Sequence, residues 1–146
     1  MKLTVITPFY NDQLFLSGFI KSLKQQTLKD FKVLLINDGS DDKSKATCIK
    51  AIDNDKRFCI VDSPHQGVSH ARNIGLGLVN SEYVTFIDAD DLVSENHLNN
   101  LYNAAVEFEG LMVATGMQYQ NENGNVISHL ELNETVLSSR EAILSS

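Results

Sequence analysis

Apolar residues follow two alternating rhythms along this chain. Short apolar runs read as strands: Leu3-Thr4-Val5-Ile6-Thr7, rich in β-branched residues, suited to a buried strand and halted by Pro8, then Phe31-Lys32-Val33-Leu34-Leu35-Ile36, Phe58-Cys59-Ile60-Val61 and Tyr83-Val84-Thr85-Phe86-Ile87. Between them, apolar positions recur at helical spacing, first as Leu16, Phe19, Ile20 and Leu23, then as Ala46, Ile49 and Ile52, then as Val68, Ala71, Ile74 and Leu78. A last helix is marked by Leu98, Leu101, Tyr102, Ala105 and Phe108. Strands alternating with helices of about 10–15 residues predict right-handed βαβ crossovers. The expected fold class is therefore α/β, a Rossmann-like three-layer α/β/α domain with a mainly parallel sheet.

Past Gly110 the rhythm changes. Leu111 to Gln120 and Val126 to Leu132 read as extended segments on either side of Asn121-Glu122-Asn123-Gly124-Asn125, whose Asn-Gly pair signals a hairpin turn. Ser138-Ser139-Arg140-Glu141 has the form of a capping box at a helix start. The chain stops at Ser146, so that helix is announced and then cut off, as expected of a C-terminally truncated piece of a longer protein. The expected division is residues 1–110 as one half and residues 111–146 as the incomplete start of another.

Composition narrows the possibilities. With 146 residues, 42% hydrophobic, 21% charged, 8 Gly and 2 Pro, the chain is neither a disordered tail nor a disulfide scaffold. The 12 basic against 19 acidic residues, a formal charge of -7, argue against a protein that grips bare nucleic acid or anionic lipid with its whole surface. No stretch approaches the ~20 apolar residues of a membrane helix, and the apolar start is too short for a signal-peptide core, so a cytoplasmic location is expected. Cys48 and Cys59 lack the spacing of a zinc or redox pair and read as inert, partly buried thiols.

In an open parallel sheet, ligands bind at the carboxyl ends of strands. Three of these ends carry unusual polar sequences: Pro8-Phe9-Tyr10-Asn11-Asp12, Asn37-Asp38-Gly39-Ser40 and Asp88-Ala89-Asp90-Asp91. Three carboxylates within four residues repel one another unless a cation or tight hydrogen bonding offsets the repulsion. In an extended segment Asp88 and Asp90 point the same way and can address one divalent metal. Hard carboxylate oxygens with a metal suit a diphosphate, and a nucleotide follows. Tyr10 can lay its ring against a base, and Asp38 can accept a hydrogen bond from a base or ribose; the alternatives are a core tyrosine and a turn aspartate. Neither a GxxxxGK[ST] loop nor a GxGxxG fingerprint is present.

The segments Val5 to Asn11, Asn37 to Asp42, Gly67 to Gly75 and Asp88 to Asp91, in this order, closely resemble those of the family 2 glycosyltransferases with the GT-A fold. The resemblance covers residues 3 to 110, making this the nucleotide-sugar-binding half. It implies that Pro8 and Tyr10 border the base, that Asp38 contacts the uracil or equivalent, and that Arg72 faces the nucleotide. Asp88-Ala89-Asp90 resembles the family's DxD motif, with Asp88 nearer the ribose and Asp90 coordinating Mn2+ or Mg2+ at the diphosphate. Asp91 is expected to cap the next helix or support the motif, and Gly67 and Gly75 to allow a turn or close packing. His65 stands where many relatives have Asn; it and His70 are expected to face solvent rather than to bind metal. The implied activity is inverting transfer from a nucleotide-diphosphosugar, a UDP-sugar, to an acceptor hydroxyl on a saccharide or lipid-linked molecule in surface polysaccharide or glycolipid assembly, with peripheral placement at the inner membrane face. The catalytic base in this family is an acidic residue beyond the nucleotide-binding half. No segment after Gly110 matches it, and Glu131 and Glu134 have the wrong context, so the base is expected beyond Ser146. The alternatives are a nucleotidyltransferase, whose Gly-rich basic loop is missing after the first strand, a non-catalytic nucleotide-binding module, and a phosphoryl receiver, whose late strand-end Lys is absent.

Overall fold

The computed structural model describes residues 1–107, 113–121 and 123–130. The element order is β1 (Leu3–Phe9), α1 (Leu16–Lys24), β2 (Phe31–Asp38), α2 (Ser44–Ile52), β3 (Phe58–Ser63), α3 (Val68–Gly77), β4 (Tyr83–Phe86), α4 (His97–Glu107), β5 (Met117–Gln120) and β6 (Val126–Leu130). The chain divides into two compact units, Met1–Asn99 and Asn100–Ser146.

In the first unit, four parallel strands lie in the order β3-β2-β1-β4. The chain steps outward from β1 to β3 and then returns past β1 to β4. With right-handed crossovers this reversal sends α3 to the face opposite α1 and α2, which pack on each other. Both faces of the central strands are therefore covered, and all seven residues of β1 are buried. Ile6, Leu34, Ile36 and Ala71 form the core beneath α3. There Gly75 is a packing necessity, because a Cβ at that position would come within 2.5 Å of Ile6 Cγ2. On α1, Leu16, Phe19, Ile20 and Leu23 are all fully buried, as their spacing predicts.

Three elements differ from the sequence expectation. Pro8 does not halt β1, which runs on to Phe9. Ile6 accepts the Ile87 N–H toward β4, so two residues later the missing Pro8 N–H faces the side where the β4 ladder has ended. In α2 the buried side carries Ser44 and Cys48, while Ala46 and Ile49 are exposed. The helix thus turns a less apolar face inward than its pattern suggests. On α3, Ala71 and Gly75 are buried and Ile74 is half-buried, but Val68 and Leu78 at the two ends of the expected stripe are exposed.

Cys48 is buried and Cys59 exposed, and both are free thiols. On α4, Leu98 and Ala105 are buried in the predicted phase. In the second unit β5 and β6 pair antiparallel, and the Asn121–Asn125 turn is closed by Asn121 Oδ1, which accepts the Asn123 and Asn125 N–H groups. The predicted hairpin is therefore present. Phe108, Gly110, Glu131, Glu134 and the 138–141 capping box lie outside the described residues.

Candidate functional site

A crevice opens at the carboxyl ends of the parallel strands, beside the adjacent β1 and β4. The cleft there has a volume of about 450 Å³ and is lined by Pro8, Tyr10, Asp38, Arg72, Asp88 and Asp90, among others. That volume falls within the range of small-molecule sites. All six residues singled out from the sequence meet in this one place.

Each is set by its element. Tyr10 is 41% exposed and so is no core tyrosine. Its N–H donates to Asp12 Oδ2 at 3.0 Å, and the next residue, Asn11, straps this loop to the one after β2. Asn11 Nδ2 donates to Asp41 Oδ1 at 2.8 Å, and Asn11 Oδ1 accepts the Asp41 N–H at 3.1 Å. At the end of β2, Asp38 is buried and ties down the loop before α3: Oδ1 accepts the Gln66 N–H and Oδ2 the Gly67 N–H, both at 2.9 Å. Burial pushes the Asp38 carboxyl up, but these two N–H groups and the His65 ring outweigh it, and the net effect lies below the usual carboxylate range. Gly67 opens α3 at φ 93° and ψ 162°, a conformation open essentially to glycine alone.

Beyond β4 the burial alternates, with Ile87 and Ala89 buried and Asp88 and Asp90 exposed. The two carboxylates share a side as expected, but on a turn closed by the Asp91 N–H donating to Asp88 O, not on an extended strand. Arg72 Nη2 donates to Asp88 Oδ1 at 2.7 Å, and its guanidinium lies 5.8 Å from the Phe86 ring centre. Asp90 makes no hydrogen bond or ion pair among the described residues. Asp91 does not cap α4, which begins six residues later at His97; the first-turn N–H of Leu98 is instead taken by the buried Gln26 Oε1 at 2.9 Å.

Asp12, Val68 and His65 also line the cleft, with no donor-site role expected of them from the sequence. Asp12 reaches the cleft, and its carboxyl is pushed up by burial and by Asp90, Asp42 and Asp88, against the lowering bond from Tyr10 N–H. Val68, assigned to a buried stripe, is an exposed part of the wall. His65, expected to face solvent, stacks on Tyr10 with ring centres 4.0 Å apart. Its only signal in the sequence was its place two residues before Gly67.

The residues present fit a hard divalent cation. Among the described residues Asp90 and the second oxygen of Asp88 make no hydrogen bond, and the Asp12 and Asp91 carboxyls are pushed up first by burial and then by the neighbouring Asp88 and Asp90 charges. Among the described residues no group of three His, Cys, Asp or Glu is arranged to hold a metal, so bound ligand and water would complete the coordination.

The family model described as Glycosyl transferase family 2 matches residues 4–143. This chain belongs to that family. The family 2 chain is 36% identical over 118 residues to Glycosyltransferase GlyA of Streptococcus pneumoniae, covering 81% of this chain and 17% of that protein. It is 44% identical over 92 residues to the teichoic acid poly(glycerol phosphate) polymerase of Staphylococcus epidermidis, covering 62% and 13%. It thus spans less than a fifth of either relative. Among solved structures, S. aureus TarS 1-349 in complex with UDP-GlcNAc superposes with a TM-score of 0.68 at 25% identity, over 75% of this family 2 chain and 32% of that one. The α/β fold is that of the GT-A glycosyltransferases. Among the described residues, no helix is long and apolar enough to cross a membrane.

Proposed function

We propose that this chain binds the donor of an inverting sugar transfer: a nucleoside diphosphate sugar, specifically a UDP-sugar, held with Mn2+ or Mg2+. The observation that supports the reading is the convergence of Tyr10, Asp38, Arg72, Asp88 and Asp90 on one cleft at the carboxyl ends of the strands, with Asp90 unpaired among the described residues. In this reading Pro8 and Tyr10 border the base, and Asp38 holds the wall beside it. Asp88, turned by Arg72, lies toward the ribose, and Asp90 faces the diphosphate. A bound cation would neutralise the leaving diphosphate. Arg72 adds a planar, permanently charged donor group close by. The acceptor hydroxyl belongs to a saccharide or lipid-linked molecule, and its base is supplied from outside the described residues. The teichoic acid relative supports assembly of a surface polymer, and the reading puts this chain at the cytoplasmic side of the membrane.

The test is a calorimetric titration of UDP with and without Mn2+. Wild type is expected to bind saturably in the presence of Mn2+, and Asp90→Ala to lose at least about tenfold in affinity, the scale of one strong charge interaction. Equal affinity of the two proteins would overturn the metal role of Asp90, and the absence of any UDP binding by wild type would overturn the donor site.

A further inference from the structure

Charge is spread unevenly along this chain. Residues 1–57 hold ten of the 12 basic side chains and seven of the 19 acidic ones, so the formal charge of -7 hides a first stretch that is net positive. The fold gathers part of that positive charge on one face. α1 and α2 pack on each other, and neither helix contains an acidic residue. Hydrogen bonds mark both ends of the seam between them: the Lys43 N–H donates to Gln13 Oε1 at 3.3 Å, and Lys24 Nζ donates to Ala51 O and Ile52 O, both at 3.0 Å.

Helical spacing decides what flanks the seam. On α1 the buried stripe of Leu16, Phe19, Ile20 and Leu23 turns Lys21 outward, and Leu14, two turns before it, shares that side and is 82% exposed. On α2 the buried side is Ser44 and Cys48, and Lys45 reaches to Asp62 of β3 at 2.6 Å, away from α1. Lys43 and Lys50, two turns apart, therefore lie on the flank toward α1, with Ile49 59% exposed next to Lys50. Lys21, Lys43 and Lys50 are all exposed and have no carboxylate partner among the described residues. The carboxylates that flank α2 are Asp41, Asp42 and Asp53; Asp41 accepts from Asn11 Nδ2, and Asp42 accepts the Ser44 N–H.

We propose that the outer face of α1 and α2 is the surface by which this chain lies on an anionic bilayer, with Lys21, Lys43 and Lys50 on lipid phosphates and Leu14 and Ile49 at the acyl boundary. The two kinds of side chain match the two layers of a membrane surface: lysines are drawn to anionic headgroups, and apolar side chains gain by leaving water for the hydrocarbon edge. A soluble polyanion would engage the lysines and leave Leu14 and Ile49 in water. The face also adjoins the cleft, because Asp12, whose carbonyl accepts the Phe15 and Leu16 N–H groups at the start of α1, lines it. This inference rests on the reading above for its placement at a membrane and is independent of the donor site.

The experiment sediments the 146-residue chain, without divalent cation, with vesicles of phosphatidylcholine alone or mixed equally with phosphatidylglycerol. Wild type is expected to bind the mixed vesicles at least about tenfold more tightly, and to lose most of that preference at about 1 M salt, where unscreened attraction reaches only about 3 Å. Lys21→Glu and Lys50→Glu should each weaken this binding at least about fivefold, and Leu14→Ser combined with Ile49→Ser should do the same, with melting unchanged. Lys32→Glu shifts the net charge equally but lies on the opposite face of the sheet with Leu34 and Ile36, and should stay within about twofold of wild type. Equal binding to both kinds of vesicle, or a loss in Lys32→Glu matching that in Lys50→Glu, overturns this face. Full competition by soluble polyphosphate together with wild-type binding by the double serine variant overturns the bilayer in favour of a soluble polyanion. UDP binding with Mn2+ should be the same in Lys50→Glu as in wild type. Vesicle binding without UDP binding would therefore remove the donor site alone, and UDP binding without vesicle binding would remove this inference alone.

Discussion

Replacing Asp38 with asparagine separates its charge from its shape. In the structure the carboxylate receives the Gln66 and Gly67 N–H groups at 2.9 Å and faces His65 Nδ1 at 3.0 Å. An asparagine keeps one acceptor oxygen and turns an NH2 toward the other donors, so at least one N–H loses its partner. Charge-assisted bonds contribute about 1.5–3 kcal/mol each, and an orphaned buried donor costs about 1–3 kcal/mol. The side chain is only 4% exposed, yet it forms the wall of an open cleft where solvent screens part of the loss. The lower end of both ranges therefore applies, giving about 2 kcal/mol for Asp38→Asn. At about 3 °C per kcal/mol for a chain of this size, the melting temperature at pH 7 should drop by about 6 °C. The sign of the pH dependence follows from the net lowering of the Asp38 carboxyl below its ordinary 3.8. A lowered folded-state value gives stability that is fully present above the unfolded value and lost as pH falls through the folded one. The gap between wild type and variant should therefore be full at neutral pH and close below about pH 4. Thermal melts followed by circular dichroism across that window test it. A variant that melts within about 1 °C of wild type at pH 7, or a gap that widens in acid, would refute the reasoning.

Three further outcomes follow from particular contacts. Gly75→Ala gains about 1 kcal/mol of helix propensity but forces Ile6 to move, at about 1–3 kcal/mol, so a net loss near 1 kcal/mol is expected in urea denaturation; a more stable variant would contradict the close packing of α3 on β1. Gln26→Leu removes the acceptor of Leu98 N–H and the donor to Ser94 O, both from a fully buried amide. It should lower stability by about 2–3 kcal/mol with an unchanged urea m value; a midpoint matching wild type would exclude this anchor. Burial pushes the Cys48 thiol up to about 12, whereas Cys59 is exposed. At pH 8 an aromatic disulfide reagent should titrate one thiol in the native protein and the second only after denaturation, and two rapid equivalents would contradict the burial of Cys48.

Much of this architecture is local information. The four strand runs and the α1 stripe were legible because a buried strand or helix face needs apolar residues at fixed short spacings, and the chain supplies them. Asp88 and Asp90 were likewise legible as a pair, since the buried Ile87 and Ala89 around them set the alternation within four residues. The inward face of α2 was not. Two small side chains, Ser44 and Cys48, fit against its neighbours where the larger Ile49 is left outside, and volume at a helix contact does not show in a pattern of polarity. The course of β1 through Pro8 was equally hidden, because it depends on where a different strand stops.

The chain by itself determined the α/β alternation, the polar strand ends and the acidic turn, all consequences of residues a few positions apart. Only the tertiary structure decided which of those polar groups are spoken for. Arg72 takes an oxygen of Asp88 from 16 residues away and leaves Asp90 unpaired among the described residues, and Asp38 gathers the amides of Gln66 and Gly67 from 28 and 29 residues away and so brings His65 onto Tyr10. Hydrogen bonds act over about 3 Å, and which donors come that close is set by the parallel order of the strands, which no short stretch of sequence contains.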